Sequence, residues 1–247
     1  MSRLNTFYLA PDLWQEPFIV EGEEAHHLLT VLRSRPGQKL RLIDGLGGWG
    51  IFTLEKGERK KAYLNLVERH TDPHPPFPLT LAVAWSKHLR RSYVLEKAVE
   101  LGATNVWFWT ATRSQGKPQE DTYHAWQRSL LAAAKQCEST WIPKVQVFAD
   151  LTTLVQASQS QGVKMVCWEE AGTSALINPH LLPHTQGTLV VIGPEGGLED
   201  KEVREMQNAG FQVISLGSSI LRFETAAVFI LSLYHWSATR QKNQIGL

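Results

Sequence analysis

The chain has 247 residues, a hydrophobic fraction of 43% and a formal net charge of +1 at pH 7. That length suits roughly one or two domains of ~150 residues each, and the even charge balance excludes the global basic field that draws a protein to any polyanion, while leaving specific RNA binding open. The only two cysteines, Cys137 and Cys167, have no short spacing and imply neither a disulfide framework nor a zinc site.

The first residues, MSRLNTFYLAPDLW, show no basic-then-apolar export pattern. The most apolar run, Ala226–Trp236, falls well short of the ~20 residues a membrane span needs. A cytoplasmic protein with no membrane partner and no metal is therefore expected.

From Met1 to about Arg69 the pattern is one of short strands and turns. Phe18–Val20, Lys39–Ile43, Gly50–Leu54 and Ala62–Val67 are the best strand candidates, and Gly45 to Gly50 reads as a hairpin turn. One helix interrupts them. Glu23 and Glu24 suit its first turn, His27, Leu28, Val31 and Leu32 follow at helical spacing, and Pro36-Gly37 marks its end. Short strands with one helix predict a small β-barrel. Arg33 and Arg35 are candidates to meet RNA phosphates, and His26 and His27 to stack on or hydrogen-bond to RNA. A merely solvated helix face is an equal reading of the same residues. Adjacent histidines on a helix point in different directions, so this pair is not a metal site.

Thr71–Pro78 is proline-rich and reads as an extended connector. It sets the expected boundaries: a first domain at 1–72, a linker at 73–78 and a second domain at 79–247. From Leu79 the pattern alternates. Strands are predicted at Leu79–Trp85, Val106–Trp109, Val145–Phe148, Met165–Trp168, Leu189–Ile192 and Phe211–Leu216. Helices are predicted at Ser92–Leu101, Asp121–Cys137, Leu151–Ser160 and Leu198–Ala209, with a long apolar helix at the end. Strands separated by helices predict a parallel sheet of the α/β class, whose binding sites lie beyond the strand C-termini. The basic run Lys87-His88-Leu89-Arg90-Arg91 follows the first of these strands. Arg90 is a candidate phosphate contact, or an exposed helix-start residue. Glu96, Lys97 and Glu100 suit surface ion pairs of little worth.

Two loops near the C-terminus carry the chemistry. In TLVVIGPEGGLEDKEV, the strand runs into Gly193-Pro194-Glu195-Gly196-Gly197; in SLGSSILRFETAAV, Gly217–Leu221 is the turn and Glu224 stands in the first turn of the last helix, where a carboxylate suits the positive dipole end. Glycine after a strand lets backbone groups approach a ligand closely. Phosphate is the usual ligand of such loops. Here neither a P-loop ending nor a Gly-x-Gly-x-x-Gly run is present, and Glu195 inside the loop would repel phosphate. A carboxylate among free backbone groups suits a neutral or cationic ligand, such as the sulfonium of S-adenosylmethionine.

The pair IGPEGG and LGSSILRFETA resembles the signature of the SPOUT-class, trefoil-knotted methyltransferases, and within it the bacterial 16S ribosomal RNA uridine-N3 methyltransferase family. HHLLTVLRSRPGQKL resembles that family's PUA-like, RNA-handling N-terminal domain. The resemblance implies a knotted parallel-sheet methyltransferase domain preceded by a PUA-like barrel. It also implies S-adenosylmethionine as methyl donor, small-subunit ribosomal RNA as partner, and a homodimer. By the same resemblance, Ile192, Gly193, Gly196 and Gly197 line the methionine end of the donor. Leu216, Gly217, Ser218, Ile220 and Leu221 enclose its adenine, Thr225 lies beside them, and Glu169 or Glu170 reaches the ribose. Arg113, in an arginine-serine pair, is an RNA or uridine contact. Around Ala133–Pro143 the chain departs from the family's Glu-Gln-Ser/Cys-Gly-Arg and reads Lys135-Gln136-Cys137-Glu138-Ser139.

N3 of uracil must lose a proton as it attacks, with negative charge spreading to O2 and O4. A planar guanidinium that stays protonated is a good partner for that charge. Arg222, directly after the second glycine loop, is the best-placed arginine, its structural alternative being a pair with Glu195 or Glu224. Glu195 orients the donor, accepts the proton or braces the loop. Two further readings stay open: a ribose 2′-O enzyme of the same knotted class, and a noncatalytic RNA-binding assembly factor.

Overall fold

The computed structural model describes residues 4–86, 90–116 and 121–245. Contacts divide the chain into two compact units, Met1–His74 with Leu131–Ile142, and Pro75–Leu130 with Pro143–Leu247.

The first unit is a curled sheet of five strands, β1 (Thr6–Tyr8), β2 (Phe18–Glu21), β3 (Lys39–Ile43), β4 (Gly48–Glu58) and β5 (Lys61–Thr71), in the order β1-β3-β4-β5-β2. β4 and β5 are longer than the apolar alternation predicts. Register shifts at Ile51/Phe52 and Leu54/Lys56 let the long hairpin bend. The curl encloses Phe7, Trp14, Phe18, Leu28, Leu40 and Phe52. β1 is too short to show an alternating pattern and joins β3 in parallel. The predicted helix is real, but only its start is α-helical: α1 (Gly22–His26) passes into a π-helical turn, His27–Val31. It ends with Arg33 at φ 49, in the left-handed region that favours glycine.

The segment Leu131–Ile142 groups with this unit, although the sequence places it in the second domain. Its contacts account for the unusual wording there. Lys135 pairs with Glu24, and Glu138 pairs with Arg41 at 3.2 Å. Thr140 Oγ1 donates to Asp72 at 2.7 Å. Glu138 sits at φ 60, in the left-handed region that favours glycine.

The second unit holds a sheet of six strands, β6 (Leu79–Ala84), β7 (Asn105–Trp109), β8 (Lys144–Phe148), β9 (Val163–Cys167), β10 (Thr188–Ile192) and β11 (Gln212–Ile214), in the order β11-β9-β10-β6-β7-β8. Every pairing is parallel. The central β6 and β10 are buried along their whole length, as strands covered on both faces must be. The helices are α2 (Arg91–Glu100), α3 (Asp121–Cys137), α4 (Leu151–Ala157), α5 (Asp200–Asn208) and α6 (Phe223–Ile245). α2 stops where Gly102 turns at φ 80. Asp150 and Thr153 form a capping box at the start of α4. Lys97 and Glu100 pair at 2.6 Å.

The chain runs outward through β6, β7 and β8, returns to β9, comes back inward as β10 between β9 and β6, and leaves again as β11. This crossing brings the C-terminal ends of β9, β10 and β11 side by side. The β9–β10 connection is not structureless: it makes three short 3-10 turns at Glu169–Ala171, Thr173–Ala175 and Pro179–Leu181. Leu176 bridges to Ser215, tying that connection to the end of β11. α6 buries Phe223, Ala227, Ile230, Leu231 and Tyr234 but leaves Phe229 and Trp236 exposed, so the chain does not cover it on all sides. Tyr234 donates to the Phe77 carbonyl at 2.5 Å, and burial pushes its phenol up to about 12.

Candidate active site

A cleft of about 770 Å³, open mouth included, lies beyond the C-terminal ends of β9, β10 and β11. After β9, Cys167, Trp168 and Glu169 line it. After β10 come Ile192, Gly193, Pro194, Glu195 and Gly197. The stretch Ser215–Leu221 after β11, with Phe223 and Ala226 of α6, completes the wall. The strands end together because they are parallel and adjacent, so three loops from distant parts of the chain meet.

Gly193, Gly197 and Gly217 put bare backbone into this wall. Gly197 has φ 71, and a Cβ there would meet the Glu169 carboxylate, so the carboxylate and the bare backbone occupy one corner. Gly217 has φ 124. The Ser215 hydroxyl donates to the Gly217 carbonyl at 3.2 Å and accepts from the Gly217 N–H at 3.3 Å, which fixes the turn. Burial pushes the Cys167 thiol up to about 12, which disfavours its thiolate.

Of the predicted donor residues, Glu169, Ile192, Gly193, Gly197, Leu216, Gly217, Ser218, Ile220 and Leu221 line this cleft. Gly196 does not. It faces Arg113, whose Nη1 donates to the Gly196 carbonyl at 3.0 Å. Thr225 is on the exposed side of α6, one residue from the wall residue Ala226. Glu195 is exposed at the cleft edge. Arg222 is exposed between the wall residues Leu221 and Phe223, and it makes no ion pair with Glu195 or Glu224 among the described residues. Trp168, Pro194, Ser219, Phe223 and Ala226 are wall residues that sequence reasoning missed. Only the register of α6 shows that Phe223 and Ala226 turn inward, whereas Pro194 and Ser219, inside the quoted motifs, were within reach of it.

The RNA candidates are placed as follows. His26, His27, Arg33, Arg35, Arg90 and Arg113 are all exposed. The His27 ring lies 5.7 Å from that of Phe7. Lys87, His88 and Leu89 of the basic run lie outside the described residues. Arg91 stacks over Trp85 at 4.4 Å and donates to the Ser86 carbonyl at 3.1 Å, which makes it part of the packing. No group of three potential metal ligands occurs among the described residues, and no described helix is long and apolar enough to cross a membrane.

A parallel sheet with a cleft at its strand ends, in a chain that also carries a small curled sheet, defines an RNA methyltransferase with an accessory PUA-type domain. The RNA methyltransferase domain family matches residues 73–235, and the RNA methyltransferase PUA domain family matches residues 20–67. A ribosomal RNA small subunit methyltransferase E from Mesomycoplasma hyopneumoniae is 30% identical over 224 residues, covering 87% of this chain and 96% of its own. A crystal structure of a probable rRNA methyltransferase from Porphyromonas gingivalis superposes with a TM-score of 0.85 at 30% identity, covering 96% of this chain and all of that one. The ribosomal RNA small subunit methyltransferase E of Neisseria gonorrhoeae, solved bound to S-adenosyl methionine, gives a TM-score of 0.79 at 25% identity over 98% of both chains. The chain belongs to the ribosomal RNA small subunit methyltransferase E family. As a member it is an S-adenosylmethionine-dependent methyltransferase of ribosomal RNA, with a parallel-sheet methyltransferase domain of the α/β class.

Proposed function

We propose that the protein methylates N3 of one uridine in the RNA of the small ribosomal subunit, and that the cleft beyond β9, β10 and β11 holds the donor. The observation that carries this reading is the shared corner of Gly197 and Glu169, in the same cleft wall as the fixed turn at Gly217. Bare backbone there lets a nucleoside approach closely, and carboxylates at Glu169 and Glu195 suit its hydroxyls and its cationic sulfur. When bound, S-adenosylmethionine supplies an already activated methyl group.

The chain's own contribution is placement and charge. Holding the base against the donor accounts for ~7–11 kcal/mol of barrier reduction. Arg222 faces solvent beside the wall, without a carboxylate partner in Glu195 or Glu224, and its guanidinium supports the charge that builds on O2 and O4. Glu195, exposed at the edge, orients the donor or takes the N3 proton. Incubation with small-subunit RNA and donor, followed by nucleoside mass analysis, is expected to yield 3-methyluridine. A 2′-O-methylated nucleoside instead would overturn the assignment to N3.

His26, His27, Arg33 and Arg35 form the proposed RNA contact of the first unit, with Arg90 and Arg113 on the second. Arg33 holds a backbone conformation better suited to glycine, at a cost of ~1–2 kcal/mol. Such strain is retained where the side chain serves a purpose. Arg33→Gly is therefore expected to raise the melting temperature by roughly 2–4 °C per kcal/mol relieved. The same substitution should weaken RNA binding and lower its salt slope by about one, as loss of one phosphate contact does. Unchanged RNA affinity would remove Arg33 from the interface.

The reading also places the protein in the cytoplasm, with the ribosome, as a homodimer. Phe229 and Trp236, 39% and 53% exposed, stand on one side of α6 and are otherwise costly to leave in water. Trp236→Glu is expected to shift the protein to a monomer by light scattering at micromolar concentration. A wild-type protein that is already monomeric there removes the dimer from the proposal.

A further inference from the structure

We infer that Glu202 is a positioning residue for Arg113, locking the loop after β7 to the glycine loop after β10. The inference rests on the reading of the cleft as the methyl-transfer site. Glu202 is only 6% exposed. Its two carboxylate oxygens serve different partners: Oε2 accepts from the Glu199 N–H at 2.9 Å, and Oε1 accepts from the Thr112 N–H at 2.9 Å.

The first bond is the ordinary capping box at the start of α5. A helix cap requires nothing more of this side chain, and a glutamine would serve it equally well. The second bond is what the cap does not explain, because it reaches 90 residues away in sequence. Thr112 immediately precedes Arg113. The turn around them is closed by the Ala111 N–H to the Ser114 hydroxyl at 2.9 Å and the Ser114 N–H to the Ala111 carbonyl at 3.0 Å. Arg113 then reaches back to the glycine loop, donating to the Gly196 carbonyl at 3.0 Å, with its Nε 3.6 Å from Glu199 Oε1.

Arg113 is thus held from both sides. Glu202 fixes its backbone, and Gly196 with Glu199 orients its guanidinium, which stays half exposed with donors left over. Glu202 and Glu199 belong to the same helix start, so the loop that carries Glu195 and Gly197 and the loop that carries Arg113 share one anchor. A group that must meet RNA while the donor sits in the cleft gains its register from this anchor.

The test uses the full-length protein. Glu202→Gln is isosteric, yet its amide can accept from only one of the two N–H groups and points an NH₂ at the other. The expected result is a fall in kcat/KM for RNA of roughly tenfold or more at saturating donor, the size of one lost charge-assisted hydrogen bond. It is carried by KM for RNA, while donor affinity by calorimetry stays within about threefold. In an Arg113→Ala background, Glu202→Gln adds less than about a further twofold, because the two residues act as one unit. Losses that multiply in the double variant, or a single variant with wild-type kinetics, overturn the inference. Glu202→Asp keeps the charge but is too short to serve both loops; it must show the same lack of additivity, which covers the case of a Gln variant that folds poorly. If the wild-type product proves to be something other than 3-methyluridine, the assignment to N3 falls, and the cycle is read on that product instead.

Discussion

Arg222→Ala is expected to lower kcat by about 10²–10³-fold, the usual cost of removing one donor aimed at developing negative charge, while binding S-adenosylmethionine as tightly as the wild type. The separation follows from where the residue sits. The backbone of Arg222 starts α6, its carbonyl accepting the Ala226 N–H at 2.9 Å. Alanine keeps that bond and fits a helix start. The side chain is exposed and is not in the cleft wall, so truncation opens no cavity and removes no donor contact. It also leaves neither Glu195 nor Glu224 without an ion pair it had before. The loss therefore falls on the step in which the uracil becomes negative. Arg222→Lys should recover only part of the rate, because an ammonium cannot match the planar fork. Calorimetry and single-turnover methyl transfer separate the effects. Full activity in the alanine variant would remove Arg222 from the mechanism, and lost donor affinity would make it a binding residue instead.

Gly197→Ala is the second large effect, and it falls on the donor. The residue has φ 71, and a Cβ would press into the Glu169 carboxylate. Left-handed backbone costs a side-chain-bearing residue ~1–2 kcal/mol, and the carboxylate is displaced from the corner where the proposal puts the ribose. Donor affinity is expected to fall about 10–100-fold, given ~1.4 kcal/mol per decade. Gly37→Ala is the control: it has φ 84 with nothing within 4 Å of the added carbon, so it carries the strain without the collision. It should lose some stability and keep its donor affinity. Equal donor affinity in wild type and Gly197→Ala would move the donor away from this corner.

The departure at Lys135–Ser139 cannot be interpreted from the local sequence alone. In space, Lys135 meets Glu24 and Glu138 meets Arg41, so the exchanged charges have found partners within the first unit. Asp72 accepts from Thr140 and from Trp49, joining the same segment to β4 and β5.

Much of the fold and part of the site are written locally. Fully buried runs such as Thr188–Ile192, helical spacing such as that of Val94, Leu95, Ala98 and Val99, and glycines directly after strands are all short-range signals. They were enough to place a parallel sheet and both glycine loops at its strand ends, and their wording pointed to the family. What the tertiary structure alone decided are relations between strand ends far apart in the chain: Glu169 against Gly197, Gly196 turned towards Arg113, and Glu202 bound to Thr112. Helix register was equally hidden, since it put Ala226 in the wall and Thr225 outside it. The physical reason is that backbone preference acts over a few residues, whereas a site is assembled by the order in which strands join the sheet.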